Sequence, residues 1–455
     1  MKKALLILVA FALFVSCKQD AKVDTTPKLP DTYISGQLEN SLDKIRISGG
    51  DISETIAVNE DGTFSDTLQL HEGYYRLVHG RKIAYLYIKP SGNIQISADM
   101  EDYPESLAFS GTGASNNNYI QQKRAKIADV VPPVKLLYSM EEAEFLSKIN
   151  EIREASKEVI SEADITPDFA AKEQQNIKYE YLERLKNYPS YHEYFAEKED
   201  FKASADFTKP FESFDFDNDK HYKIYYPYKG LVNTHFMDIF DESKNTAGFV
   251  TALEAIKSEA IKNDMLQDVS YYVSPGAEKS DEIYEAVMSM STDDELKEKL
   301  TEKHELLKSL VAGKPSPKFA YQDTKGNNIA LEDLKGKHVY IDVWATWCGP
   351  CKREIPNLKE LEKAHRDKNI EFVSVSVDQQ KDIEKWKKMV DEKELTGVQV
   401  ISDKDWKSDF VKDYAIEGIP RFILVNAEGN IVSADAPRPS EKEELLALFD
   451  EVGVK

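Results

Sequence analysis

The sequence predicts a multidomain protein: an N-terminal antiparallel β-sandwich, a helical middle region and a C-terminal α/β domain. Three observations carry this. Alternating apolar and polar residues, broken by turn residues, fill the chain from Tyr33 to Phe109. From 115 to 312 a highly charged sequence places apolar residues at helical spacing, as in Phe145, Ile149, Ile152 and Val159. Beyond Pro315 and Pro317, short apolar strands alternate with amphipathic helices, the pattern of a sheet covered on both faces. At 455 residues the chain is too long for one ordinary core, and its 41% hydrophobic content is ample for several.

Residues 1–16 begin Met-Lys-Lys and continue as an apolar run from Ala4 to Val15. This is a signal peptide pattern, because a membrane span needs about twenty apolar residues. Phe14-Val15-Ser16-Cys17 resembles the lipobox of bacterial lipoproteins, which implies cleavage before Cys17 and its lipidation. The alternative is an ordinary signal peptide followed by a free cysteine. Lys18, rather than Asp, follows the cysteine, which favours the outer membrane. Residues 17–30, with Pro27 and Pro30, read as a polar tether, of which residues 18–30 reach at most about 45 Å when extended.

Residues 31–112 carry short strand patterns such as Ile45-Arg46-Ile47, Tyr74-Tyr75-Arg76-Leu77-Val78 and Tyr85-Leu86-Tyr87-Ile88. Asp61-Gly62, His79-Gly80 and Ser91-Gly92-Asn93 punctuate them as turns, and strands at this spacing predict a sandwich or barrel. His71 and His79 read as lone surface-turn histidines. Residues 113–312 form the helical region. Nine tyrosines between Tyr179 and Tyr228 read as fillers of helix seams, with a client-docking surface as the alternative.

Ala312-Gly313-Lys314-Pro315-Ser316-Pro317 breaks the last of these helices and opens the domain at 313–455. The order there is a hairpin, strand 339–345, helix 349–366, strand 370–377, helix 379–392, strand 398–401 and helix 404–413. Pro420, a hairpin over 421–434 and a final helix over 440–452 complete it. The strand ends at Trp347-Cys348-Gly349-Pro350-Cys351, with two cysteines three apart at a helix start. Unpaired N–H groups and the positive end of the helix dipole favour a thiolate there, and Pro350 suits the first turn. A zinc ribbon would need a second ligand pair, but Cys17 is the only other cysteine and no histidine pair stands at ligand spacing. No metal is expected. A formal charge of −22 argues against nucleic acid as a partner.

Trp347-Cys348-Gly349-Pro350-Cys351-Lys352 is the thioredoxin signature, and Tyr414 to Pro420 resembles the segment that carries the thioredoxin cis-proline. Trp344-Ala345-Thr346 before the pair and Arg353-Glu354-Ile355-Pro356 after it resemble the membrane-anchored TlpA/ResA-type branch. The preceding β domain resembles the small β domain found before thioredoxin domains in Bacteroidota lipoproteins, on Asp61-Gly62-Thr63-Phe64 and Phe109-Ser110-Gly111-Thr112-Gly113. The resemblance implies a thioredoxin fold for 313–455 and a redox-active Cys348–Cys351 disulfide. Cys348 would attack from an exposed position and Cys351 would resolve. Trp347, Gly349 and Pro350 would flank the client, and Gly418, Ile419 and cis-Pro420 would present backbone to it as a strand. Arg421 either favours acidic clients and the thiolate or is a strand-edge charge. Asp342 stands where thioredoxins keep a buried carboxylate, and Glu354 where ResA-type proteins keep theirs. The lysine that usually accompanies that aspartate is Ser374 here. Asp342 is expected as the main proton carrier with Glu354 modulating it, or with Glu354 as a solvated helix-face acid.

The leading expectation is therefore an exported, lipid-anchored thiol-disulfide oxidoreductase of the cell envelope that reduces client proteins without a cofactor. It would draw on a membrane electron donor, because the periplasm is kept oxidising. A thiol peroxidase is one alternative. A binding or assembly lipoprotein with an auxiliary redox domain is another.

Overall fold

A computed structural model describes residues 29–49, 52–240 and 246–455. The leader, Cys17 and the tether up to residue 28 lie outside the described residues. The chain divides into two compact units, one running to Phe214 and including Lys220–Leu231, the other made of Asp215–Asp219 and Val232–Lys455.

The first unit opens with β1 (Asp31–Glu39), β2 (Lys44–Gly49), β3 (Ile52–Ala57), β4 (Thr63–Gln69), β5 (Gly73–His79), β6 (Lys82–Ile88), β7 (Asn93–Asp99) and β8 (Ala108–Gly111). They form two sheets, ordered β4-β1-β7-β8 and β3-β2-β5-β6. Period-two alternation turns Ile34, Phe64, Ile94 and Phe109 of one sheet toward Ile47 and Leu86 of the other, and these make one core. One pairing departs from the antiparallel expectation: β1 and β7 run parallel, with Tyr33 opposite Asn93. Five intervening strands supply the long crossover that parallel neighbours require, and alternation within a strand says nothing of its neighbour's direction. His79 is a second correction. It is buried, its Nε2 accepts the Leu42 N–H at 2.8 Å, and its Nδ1 lies 3.0 Å from the Lys44 carbonyl, so it braces the β1–β2 loop.

Helices α1 (Ala114–Ile127), α2 (Val134–Ser139), α3 (Glu142–Glu162), α4 (Pro167–Ala196) and α5 (Ala205–Thr208) follow. Tyr119 and Ile120 of α1, Val159 of α3 and Phe169 of α4 pack with Tyr87 of β6. Inside this seam the ammonium of Lys123 is paired with buried Glu173, and lies 3.3 Å from Glu180. The Tyr74 hydroxyl donates to Glu173 at 2.6 Å. The tyrosines mostly fill seams: Tyr188 stacks between Phe145 and Phe207, and Tyr222, Tyr225 and Tyr228 are buried, while Tyr191 and Tyr194 stand exposed. Next along the chain come α6 (Asp219–Ile224) and α7 (Tyr226–Phe240).

The second unit contains α8 (Thr246–Glu254), α9 (Glu259–Ser270), α10 (Ser280–Met290) and α11 (Asp294–Leu307). Then come β9 (Ala320–Asp323), β10 (Asn328–Ala330), β11 (His338–Trp344), α12 (Gly349–Ala364), β12 (Ile370–Ser376) and α13 (Ile383–Glu392). β13 (Val398–Ile401), α14 (Asp409–Asp413), β14 (Arg421–Val425), β15 (Ile431–Ser433) and α15 (Lys442–Glu451) end the chain. The strands order as β10-β9-β13-β12-β11-β14-β15, with β11 parallel to β12 and antiparallel to β14. Every residue of β11 is buried, Asp342 included, as its mostly apolar run predicts for a central strand. Apolar cores lie on both faces, one around Val343, Val375, Trp386 and Phe410, the other around Tyr340, Leu361, Phe422 and Phe449.

The break after α11 is not a free linker. The N–H of Gly313 donates to Ile431 O and that of Ile431 to Lys314 O, both at 2.8 Å, and Ser316 N–H donates to Gly429 O at 3.0 Å. Residues 313–316 thus lie along β15 and the turn before it as a strap, and Leu310 is buried in the C-terminal domain's core with Leu306 and Leu307 packed against it.

Candidate active site

The chain leaves the C-terminal end of the central strand β11, and Cys348 becomes the N-cap of α12. Its Sγ accepts the N–H of Cys351 at 3.1 Å, so one orphan donor of the helix start points at the sulfur that would carry negative charge. Cys348 and Cys351 are joined as a disulfide with Cα atoms 5.4 Å apart. Pro350 occupies the first turn, where its missing N–H is no loss.

The Ile419–Pro420 peptide is cis, and the Ile419 carbonyl oxygen lies 3.8 Å from Cys348 Sγ. A Cβ built on Gly349 or Gly418 would meet nothing within 4 Å, so the backbone on both sides of the disulfide faces open space. Trp347 is 53% exposed and its ring centroid lies 6.4 Å from that of Trp406. Cys348 itself is only 4% exposed, which corrects the expectation of an exposed sulfur. With the ring closed, Sγ is turned back against Ile419, and Trp347 is the side chain presented outward.

A profile for the Redoxin family matches residues 311–447. The thiol-disulfide oxidoreductase ResA of Bacillus subtilis is 33% identical over 125 residues, covering 27% of this chain and 66% of that protein. ResA of Geobacillus kaustophilus is 30% identical over 124 residues, covering 27% of this chain and 68% of that protein. The chain belongs to the ResA-type thiol-disulfide oxidoreductases. The chain spans 66% of the length of the B. subtilis relative, and the match lies in the C-terminal domain. Among solved structures, the thioredoxin domain of a thiol-disulfide oxidoreductase from Bacteroides vulgatus is similar at 34% identity, covering 32% of this chain and all of that one, with a TM-score of 0.29.

In this ResA-type domain Asp342 lies mid-strand on β11, buried. Burial pushes its carboxyl up to about 8; a hydrogen bond from Ser374 opposes the shift, and the charges of Glu362 and Glu354 add to it. The position expected to hold a lysine thus holds a hydroxyl directly opposite the carboxyl across the strand pair. Glu354 is not a solvated helix-face acid. It is buried and accepts the N–H of Ser440 at 3.0 Å and its hydroxyl at 2.8 Å, which ties α12 to the start of α15. Arg421 is mostly buried and its Nη1 lies 2.6 Å from Asp435, so its charge is held within the fold.

Asp378 escaped the sequence reading. It is fully buried and accepts the Thr346 N–H at 2.8 Å, the Thr346 hydroxyl at 2.7 Å and the Ser376 hydroxyl at 2.8 Å. It therefore fixes the loop that leads into Cys348. The only signal was an acid two residues past the end of β12. Lys303 was missed as well: α11 reaches the cis-proline loop, and Lys303 Nζ lies 2.6 Å from Glu417. Among the described residues no group of His, Cys, Asp and Glu could hold a metal ion.

Proposed function

We propose that this chain is an exported, lipid-anchored thiol-disulfide oxidoreductase that reduces disulfides of client proteins in the cell envelope. The observation that supports it most is the Cys348 sulfur at the N-terminus of α12, accepting the Cys351 N–H and lying 3.8 Å from the carbonyl that precedes cis-Pro420, with open backbone at Gly349 and Gly418. In the reduced state the Cys348 thiolate attacks a client sulfur, and the electron pair of the client's S–S bond leaves on the other client sulfur. Cys351 then attacks Cys348, closing the internal disulfide and releasing the second client thiolate. Gly418 and Ile419 offer backbone groups for a client held as an added strand.

Asp342 serves the proton side of the cycle. With its carboxyl at about 8 it is mostly protonated at neutral pH. When a donor thiolate opens the internal disulfide at Cys348, Cys351 departs with the bonding electrons and takes that proton. A membrane-borne dithiol donor supplies the electrons, and Cys17 holds the protein at the membrane. The Thr346 hydroxyl donates its proton to Asp378, so it is not free to donate to a peroxide, which disfavours the thiol peroxidase alternative.

The test is insulin reduction by the dithiol form together with trapping by Cys351→Ser. The variant should accumulate mixed disulfides through Cys348, and Cys348→Ser should accumulate none. Intact insulin disulfides and no trapped adducts would overturn the reading.

A further inference from the structure

Asp342, Ser374 and Gln399 stand in register on β11, β12 and β13, so a polar rung crosses an otherwise apolar sheet. Above it Cys351, Ile355, Leu358 and Glu362 lie at helical spacing along one stripe of α12. Between rung and stripe is a cavity of 10 Å³, lined by Asp342, Trp344, Ser374, Gln399, Thr396 and Glu362 among others. That is about the room one water needs. Two buried polar atoms of its lining residues, Gln399 Oε1 and Trp344 Nε1, have no hydrogen-bond partner among the described residues. Buried polar groups of this kind are ordinarily satisfied by ordered water.

The rung continues outward. Gln399 Nε2 donates to Thr396 O at 2.7 Å, and the Thr396 hydroxyl donates to the Glu362 carboxylate. Glu362, Thr396 and Lys359 also line an open cleft of 280 Å³ on the outer side. Glu362 thus has one side toward the Asp342 cavity and the other toward solvent. We propose that Glu362 is the port through which the Asp342 carboxyl exchanges its proton with solvent, by way of a water held in the cavity between them.

The proposal rests on the dithiol reading for its purpose. After Asp342 gives its proton to the departing Cys351 thiolate, a carboxylate is left in a buried site with no cation beside it among the described residues, where an unpaired charge is costly. A proton from solvent, passed by Glu362 and the water, restores the neutral acid, and no electrons move. Burial raises the Glu362 carboxyl, against its hydrogen bond from Thr396 and the nearby Lys359, which brings it toward Asp342. Glu371 faces it from β12, and Lys363, His365 and Arg366 ring the cleft. Glu354 is the other charge acting on Asp342. Glu362 is a positioning residue, acting through Asp342.

The experiment is a pH-jump infrared measurement on the full chain with its disulfide closed. The C=O band of the Asp342 acid, identified by its loss in Asp342→Asn, is followed across its titration near pH 8. Glu362→Gln should slow deprotonation by about a hundredfold, the low end of what a positioned acid–base group contributes, and Glu362→Asp should restore most of it. Deprotonation at the wild-type rate in Glu362→Gln overturns the proposal. Gln399→Met, which keeps the volume but removes the water's acceptor, should slow the same band and gives the answer even if Glu362→Gln fails to fold. Insulin reduction on the same samples separates the two readings. A slowed band without insulin activity in the wild type removes the reductase and leaves the port.

Discussion

Asp342→Asn offers a stringent test of the electrostatics at the centre of the sheet. In the folded protein the carboxyl titrates at about 8 against an ordinary value of 3.8, because burial disfavours its charge. The fold therefore holds the neutral acid and binds a proton that the unfolded chain releases above about pH 4. Its contribution is fully present below that value and is lost as pH rises, at about 1.4 kcal/mol per unit, until the folded group also ionises near 8. The accumulated loss is on the order of 6 kcal/mol at most. Asparagine does not titrate, so the variant escapes the loss. The stability difference between variant and wild type should climb in the variant's favour from about pH 4 to 8 and then level off, whatever constant offset the amide introduces. All four tryptophans lie between Trp344 and Trp406, so urea unfolding followed by tryptophan fluorescence, with the disulfide closed in both proteins, reports this domain. Parallel stability curves across that range would refute the assignment of a buried neutral acid.

Three further outcomes follow from the contacts. Asp378→Asn should cost about 2 kcal/mol of stability, measured by urea midpoint, because three donors around Thr346 and Ser376 lose a charged acceptor. Glu354→Gln should weaken the tie to Ser440 by about 1 kcal/mol and lower the Asp342 titration midpoint in the infrared measurement, since one of the charges holding it up is removed. Lys123→Met should destabilise the first unit by about 3 kcal/mol by leaving Glu173 buried without its cation, seen as faster hydrogen exchange in α1 and α4.

What the sequence revealed depended on how local the cause was. The dithiol, its helix start and the cis-proline segment are each set by neighbouring residues with few alternatives, so Cys348, Cys351 and Pro420 could be found in the linear chain. The strand and helix order of the last domain followed from periodicity for the same reason. The polar rung could not be found this way. Ser374 and Gln399 are unremarkable residues until strand register sets them beside Asp342, and register is fixed by the whole sheet. Glu354 and Glu362 are both acids on one charged helix, yet one is spent on Ser440 and the other opens to a cleft. His79 was misjudged because a turn position suggests exposure, whereas the β1–β2 loop folds over it. The parallel pairing of β1 with β7 belongs to topology, on which alternation within a strand is silent.

The strap at residues 313–316 changes how the redox domain should be pictured mechanically. Two prolines and a glycine mark a boundary, yet the segment is stitched to β15, and Leu306 and Leu307 at the end of α11 pack with Leu310 against the domain core. Cutting the chain at residue 313 would strip a greasy plug from the domain and invite self-association. Keeping α11 attached would leave the seal intact. The same packing couples α11 to the fold that carries the dithiol, so a test of the proposed client reduction belongs on a chain that keeps α11.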